Sequence, residues 1–176
     1  IVGLSMGGRI AMRFAARYPT KVKSLCLVDT HLGFQKMDEK TRDGFIASRK
    51  EPLLTGNETK DIAPAVAESL CSSKAIPGAK EKFIESMSYL HKVSYIKAIE
   101  ASVNGDRFDE YHKIKSPTIV IVGEDDKLTP LEMAVEIQKN ILGADLSVIP
   151  NAGHLSNFEQ PDFFNTVLNT FLSKQL

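Results

Sequence analysis

Short apolar runs separated by amphipathic stretches recur along most of the chain. Three of these runs are continuous, rich in β-branched residues and bounded by turn-forming residues: 25–28, 118–122 and 146–149. This pattern is typical of strands buried on both faces of a parallel sheet. A shorter run, Ile1-Val2, resembles the end of another strand. We therefore predict three buried strands and part of a fourth.

Amphipathic stretches between these runs predict helices. Residues 6–18 carry apolar side chains at helical spacing, namely Met6, Ile10, Ala11, Phe14 and Ala15. The sequence Thr129-Pro130-Leu131-Glu132 resembles a capping box with proline at the first helical position, and it predicts the start of a second helix. Pro161 opens a last amphipathic stretch. Strand and helix thus alternate, which favours an α/β fold with a parallel sheet.

Residues 31–114 differ from the rest because they contain no strand-like run. Several amphipathic helical stretches are separated there by residues that commonly interrupt helices: Pro52, Gly56, Pro64, Pro77, Gly78 and Gly105. We therefore predict an α/β core formed by residues 1–30 and 115–176, with a helical insertion at 31–114.

Composition and charge narrow the classes of function. The 176 residues suffice for one core, and 43% hydrophobic and 25% charged residues are ordinary for a soluble protein. Lys plus Arg and Asp plus Glu number 22 each, so no net charge favours nucleic acid or a membrane surface as a partner. No apolar run approaches the roughly 18 residues of a membrane span. Two cysteines, Cys26 and Cys71, are too few for a disulfide framework, and we expect a cytoplasmic protein.

A serine between glycines follows the first apolar run. Gly3-Leu4-Ser5-Met6-Gly7 matches the pattern G-x-S-x-G, in which a sharp strand-to-helix turn exposes a nucleophilic serine. Glycines two residues before and after the serine prevent collisions of side chains in such a turn. The N–H of Met6 and the positive end of the following helix would face an oxyanion.

A nucleophilic serine requires a base, and the base requires an acid that orients it. His154 lies on a glycine-containing loop after a buried strand, where open α/β sheets collect active-site residues. The other three histidines lie in or beside the helical insertion: His31, His91 and His112. Asp125 and Asp126 lie just past another buried strand, and Asp29 is a competing acid because it also ends a strand.

Three stretches carry a family resemblance. "GLSMGG", "IVGEDDKLTP" and "NAGHLSNFEQP" resemble the nucleophile elbow, the acid loop and the histidine loop of the α/β-hydrolase superfamily, in that family's order. The insertion at 31–114 resembles its helical cap domain. Two shorter stretches, "SYIKAIEAS" and "HLSNFEQP", are similar to the small esterases and lactonases that include 3-oxoadipate enol-lactonases. The resemblance covers essentially the whole chain.

The resemblance implies roles for individual residues. Ser5 matches the family's nucleophile, His154 matches its base, and Met6 would supply one N–H of the oxyanion hole. Asp126 matches the acid, because members of the family usually have the pattern G-x-x-D here and Asp126 stands three residues after Gly123. Asp125 is then a neighbour without this role.

The implied activity is hydrolysis of a carboxylic ester or lactone through an acyl-enzyme, with a small-molecule substrate and no metal or organic cofactor. C–C bond hydrolases, thioesterases and haloperoxidase-like enzymes share the triad and are alternatives. A non-catalytic remnant that keeps the triad by descent is the alternative from another class of protein.

One departure from the family concerns the strands that usually precede the elbow, whose loop supplies a second oxyanion donor. The resemblance implies that roughly 80–100 residues of a usual hydrolase domain are absent, so we expect the chain alone to be weakly active or inactive. Unpaired strand edges are then expected at Ile1-Val2 and at Leu25–Val28. We expect a homo-oligomer or the missing N-terminal segment to cover them.

Overall fold

Four parallel strands form one sheet in the order β1-β2-β3-β4 in the computed structural model of the chain. The model describes residues 1–175, and Leu176, the last residue of the predicted core range, lies outside them. The strands are β1 (Val2–Leu4), β2 (Leu25–Val28), β3 (Thr118–Gly123) and β4 (Asp145–Ile149). Each pairs in parallel with the next. The parallel sheet with flanking helices confirms the predicted α/β class.

Eight helices accompany the sheet within the described residues. Their bounds are α1 (Met6–Arg17), α2 (Glu39–Leu54), α3 (Thr59–Leu70), α4 (Ala79–Ser88), α5 (Lys92–Asn104), α6 (Leu131–Asn140), α7 (Ser156–Glu159) and α8 (Pro161–Ser173). The helices predicted after Ser5 and from Pro161 begin as expected. Pro52 and Pro64 lie inside α2 and α3, so the prediction that they separate helices is wrong.

Side chains of β2 and β3 alternate between the two faces of the sheet, as the period of two along a strand requires. Leu25 and Leu27 pack into an apolar cluster that includes α1 and α6. Cys26 and Val28 pack into a second cluster, on the side of α8. β4 forms the other end of the sheet order, and only Ile149 of this strand is fully buried. The prediction of complete burial therefore fails for this strand, because it ends the described sheet.

The described chain forms two compact units. The first comprises residues 1–32, 70–76 and 108–176 and contains the whole sheet. The second comprises residues 33–69 and 77–107 and is helical. Within the helical unit, Lys50 of α2 and Glu100 of α5 form an ion pair of 2.6 Å. Its designation as a cap domain stays a prediction.

The ends of the sheet differ from the expectation drawn from the sequence. β2 lies between β1 and β3, where Cys26 pairs with Val2 and with Ile119. The predicted unpaired edge at Leu25–Val28 is therefore wrong. β1 is the first strand of the sheet order, and two apolar residues, Val2 of this strand and Ile10 of α1, are 54% and 60% exposed.

We expect the 176-residue chain to self-associate in solution, because an open strand edge beside exposed apolar side chains is a template for further pairing. Light scattering after size-exclusion chromatography should give a mass above the 19.4 kDa of one chain. Lysine in place of both Val2 and Ile10 should shift the mass towards the monomer. A strictly monomeric wild-type chain at all concentrations would contradict this expectation.

Candidate active site

Ser5 occupies the turn between β1 and α1. Its backbone has φ 53° and ψ −119°, a strained conformation for a residue with a side chain. The N–H of Ser5 donates to the carbonyl of Val28 at 2.9 Å, and the hydroxyl of Thr30 donates to the carbonyl of Ser5 at 2.6 Å. Residues at the end of β2 therefore hold this turn in place from both sides of Ser5.

Close backbone packing requires glycine at two positions of this turn. A Cβ on Gly3 would lie 2.5 Å from the carbonyl oxygen of Gly7, and a Cβ on Gly8 would lie 2.6 Å from the hydroxyl of Thr30. A Cβ on Gly7 would meet no atom within 4 Å. The predicted steric role is confirmed for Gly3 and wrong for Gly7, since the second crowded position is Gly8.

Alanine substitutions at Gly3 and Gly7 should therefore have different effects. We expect Gly3→Ala to lower the free energy of unfolding by about 1–3 kcal/mol, because the backbone of the first turn of α1 must shift. Gly7→Ala should be neutral or stabilise α1 by up to about 1 kcal/mol, because alanine favours a helix over glycine. Urea unfolding of the two variants measures both values, and equal destabilisation would contradict the contacts described.

Hydrogen bonds join Ser5, His154 and Asp126 into one chain. The Nε2 atom of His154 lies 2.8 Å from the Oγ atom of Ser5, and its Nδ1 atom lies 2.9 Å from Oδ2 of Asp126. His154 and Asp126 are almost fully buried, whereas Ser5 is half-buried. Because Nδ1 faces a carboxylate, it carries the proton, and Nε2 can then accept the hydroxyl proton of Ser5.

The carboxylate of Asp126 is surrounded by donors. Its Oδ1 atom accepts the N–H groups of Leu128 and Thr129, each at 2.9 Å, and its Oδ2 atom accepts the Thr129 hydroxyl at 2.7 Å. Burial acts to raise the pKa of Asp126, but the hydrogen bond and charge of His154 and the bonds from Thr129 outweigh it and lower the pKa. Asp126 therefore stays ionised beside His154.

Thr129 belongs to this site rather than to a helix cap. Its hydroxyl lies 3.2 Å from Nδ1 of His154 as well as against Asp126. α6 begins at Leu131 with Pro130 at the N-cap and no side-chain cap, so the predicted capping box is wrong. A signal was present in the sequence, because an aspartate often accepts hydrogen bonds from residues two and three positions later.

The other predicted candidates lie elsewhere. Asp125 accepts the Ser72 hydroxyl at 2.6 Å and lies 3.3 Å from Lys74, and the bond from Ser72 is the main reason that the pKa of Asp125 is lowered. His91 and His112 are exposed, and His31 is buried. Met6 is the first residue of α1, where backbone N–H groups have no acceptor within the helix.

Glu159 fixes the loop that carries His154, a role that the sequence reasoning missed. Its carboxylate accepts the N–H groups of Gly153 at 2.8 Å and Leu155 at 3.0 Å, the residues on either side of the histidine. It also accepts the N–H of Ser72 at 2.7 Å. Segment 70–76 of the sheet-containing unit is thereby tied to the histidine loop.

Asp29, the competing acid, is fully buried and bonds to two loops. Its Oδ1 atom accepts the N–H of Gly123 at 2.9 Å. Its Oδ2 atom accepts the N–H of Ser156 at 3.0 Å and the hydroxyl of Ser156 at 2.7 Å. Burial raises the pKa of Asp29 to about 7, although the charge of His154 and the bonds from Ser156 oppose the rise.

The raised pKa of Asp29 predicts a pH dependence of stability. Between its ordinary value of 3.8 and about 7, the native chain binds one proton more at Asp29 than the unfolded chain. The contribution of Asp29 to stability is therefore full below this window and is lost as pH rises through it, by up to about 1.4 kcal/mol per pH unit. An amide side chain cannot titrate in this range, so the part of the slope that is due to Asp29 should be absent in Asp29→Asn.

Urea unfolding of the wild type and Asp29→Asn at several pH values between 4.5 and 7.5 measures this slope. The free energy of unfolding of the wild type minus that of the variant should fall as pH rises, whatever the variant's absolute stability. Parallel curves for the two proteins would contradict the expectation.

Among residues 1–175, no group of three or more His, Cys, Asp or Glu side chains is arranged to hold a metal ion. In the same part of the chain, no helix is both long enough and apolar enough to cross a bilayer.

Known proteins of one fold family match the chain. The model of the alpha/beta hydrolase fold family matches residues 1–161. A 2-hydroxy-6-oxononadienedioate/2-hydroxy-6-oxononatrienedioate hydrolase from Burkholderia vietnamiensis is 27% identical over 182 residues, which cover 99% of this chain and 62% of that protein.

Two solved structures illustrate the similarity of fold. A thermophilic esterase from Thermogutta terrifontis is 25% identical with a TM-score of 0.77, over 99% of this chain and 64% of the esterase. The enol-lactonase from Burkholderia xenovorans LB400 has a TM-score of 0.80 over 98% of this chain and 64% of the lactonase, and at 23% identity it shows the fold alone. The chain spans 57–65% of the length of the first curated relatives that it matches.

Proposed function

The chain belongs to the alpha/beta hydrolase fold family, and from this premise we propose that the protein is a serine hydrolase that cleaves a carboxylic ester or a lactone. Ser5 would be the nucleophile, His154 the general base and Asp126 the acid. The observation that carries the proposal is the pair of hydrogen bonds from Ser5 Oγ to His154 Nε2 at 2.8 Å and from His154 Nδ1 to Asp126 Oδ2 at 2.9 Å.

The first half of the proposed reaction forms an acyl-enzyme. The Oγ atom of Ser5 attacks the acyl carbon while its proton moves to Nε2 of His154. Asp126, ionised and held by its donors, stabilises the imidazolium that results. The imidazolium then gives this proton to the leaving alkoxide, so the alcohol departs, or in a lactone the ring opens.

The second half releases the acid. His154 accepts a proton from water as the water oxygen attacks the acyl carbon, and it returns that proton to Oγ of Ser5. The N–H of Met6 at the start of α1 would donate to the oxyanion in both halves. The positive end of the α1 dipole acts in the same direction. These steps need no metal or organic cofactor.

A C–C bond hydrolase is the second candidate. It is favoured by the 27% identity with the 2-hydroxy-6-oxononadienedioate/2-hydroxy-6-oxononatrienedioate hydrolase from Burkholderia vietnamiensis. Its triad could be the same, so the site described does not separate the two activities. Purified protein should be assayed with short-chain p-nitrophenyl esters, a γ-lactone and a vinylogous 1,5-diketone acid. Cleavage of the diketone acid with no ester or lactone turnover would favour the second candidate.

Labelling with a fluorophosphonate tests the proposed nucleophile directly, without the natural substrate. We expect the intact mass to increase by one adduct in the wild type and not in Ser5→Ala. Asp126→Asn should slow labelling by roughly 10²–10⁴-fold, because the amide stabilises the imidazolium poorly and favours the wrong tautomer of His154. Asp125→Asn is the matched control and should change the rate little.

An absence of labelling in the folded wild type would contradict the proposal and favour a non-catalytic protein. Equal slowing by the two asparagine substitutions would contradict the assignment of the acid. A low turnover with normal labelling would instead indicate weak oxyanion stabilisation, since one missing donor alone costs about 10²–10³ in rate.

A further inference from the structure

Val28, the last residue of β2, and the two residues that follow it contact the segments of all three proposed catalytic residues. Val28 and Thr30 bind the backbone N–H and carbonyl of Ser5, as described above. Between them, Asp29 directs its carboxylate at Gly123 and Ser156. Gly123 lies three residues before Asp126, and Ser156 lies two residues after His154.

The acid loop and the histidine loop approach each other closely where Asp29 joins them. A Cβ on Gly123 would lie 2.1 Å from the carbonyl oxygen of Gly153, so the two backbones are in contact there. Asp29 supplies an acceptor to each loop: Oδ1 to the N–H of Gly123 and Oδ2 to the N–H and hydroxyl of Ser156. One rigid side chain thus sets the separation of the two loops.

The backbone conformation and the burial of Asp29 are both energetically unfavourable, which indicates a specific role. Its backbone has φ 44°, a left-handed conformation that residues with side chains rarely adopt. Its carboxylate is completely buried, and burying a carboxylate is unfavourable unless hydrogen bonds compensate. An apolar residue would fill the same space without that penalty but would leave the N–H groups of Gly123 and Ser156 without their acceptor.

We propose that Asp29 is a positioning residue that fixes Asp126 and His154 relative to each other by joining Gly123 at the end of β3 to Ser156 at the start of α7. Its chain neighbours Val28 and Thr30 connect this arrangement to Ser5. The inference rests on the proposed function, because it concerns the same triad. Hydrogen bonds of 2.8 Å and 2.9 Å at His154 leave little tolerance, and a displacement of about 1 Å costs roughly 10²-fold in rate.

Two substitutions weaken the hydrogen bonds between Asp29 and the two loops to different degrees. The amide introduced by Asp29→Asn has one oxygen, so it cannot accept both the N–H of Gly123 and the N–H of Ser156. Ser156→Ala removes only the hydroxyl donor and keeps the N–H. Ser173→Ala is the matched control, because the hydroxyl of Ser173 donates to the carbonyl of Asn169 in its own helix, α8.

The first readout is the rate of fluorophosphonate labelling in folded protein, verified by circular dichroism and by a melting temperature above that of the assay. We expect Asp29→Asn to slow labelling about 10–100-fold and Ser156→Ala a few-fold, with Ser173→Ala unchanged. In ester turnover, kcat should fall while KM stays constant. Adding Asp29→Asn to Asp126→Asn should cost little more, because both substitutions act through His154.

The second readout does not depend on activity. The proton on Nδ1 of His154, assigned by its loss in His154→Ala, should give a far-downfield resonance in the wild type, because it faces the Asp126 carboxylate. We expect Asp29→Asn to shift or broaden this resonance and Ser156→Ala to shift it less. A role in stability alone would leave the resonance of the folded variants unchanged.

The outcomes separate the two proposals. If the wild type is not labelled, the proposed function fails, and the resonance still decides the role of Asp29. If the wild type is labelled and the folded variants keep its rate and its resonance, the role of Asp29 is overturned and the proposed function stands. If Asp29→Asn does not fold, Ser156→Ala decides in the same two readouts.

Discussion

The parallel register of β1, β2 and β3 determines where the loops of the site begin. Leu4 pairs with Val28, and Val28 pairs with Ile121, so the turns that follow the strands leave the sheet at the same edge. A slip of one residue would exchange the two faces of a strand and would move Cys26 and Val28 from the α8 cluster to the α1 cluster. The register of β2 therefore positions the site as well as the core.

The fold class and the proximity of Ser5, Asp126 and His154 could be predicted because their signals are local. An apolar run followed by a turn identified the strand ends, and the order of serine, aspartate and histidine identified the family. Contacts that join distant segments had no such signal: Asp29 to Ser156 spans 127 positions, and Ser72 to Glu159 spans 87. The partial exposure of β4 was missed for the same reason, since the end of a sheet is a property of pairing.

The glycines that the motif of the elbow specifies are not the same as the glycines that the packing of this turn requires. The pattern G-x-S-x-G describes a spacing, and the crowded neighbours in this turn are Gly3 and Gly8. Strained residues with φ between 44° and 58°, namely Ser5, Asp29 and Asn151, follow β1, β2 and β4. Such conformations cost about 1–3 kcal/mol each, and they persist only where the surrounding structure holds them. Two of them are held by backbone hydrogen bonds, from the N–H of Ser5 to the carbonyl of Val28 and from the N–H of Asp29 to the carbonyl of Ile121, each at 2.9 Å.

Two buried aspartates near one histidine differ in their electrostatics, and this difference supports a division of roles. Burial acts to raise the pKa of Asp126, but the hydrogen bond and charge of His154 and the bonds from Thr129 outweigh it and lower the pKa, which favours the carboxylate. Burial dominates at Asp29 and raises its pKa to about 7. Environments that shift the pKa values of two carboxyl groups in opposite directions, as here, distinguish an electrostatic partner from a structural acceptor. The type of residue at a strand end therefore leaves the acid undecided, and the contact of Nδ1 of His154 with Asp126 favours Asp126 over Asp29.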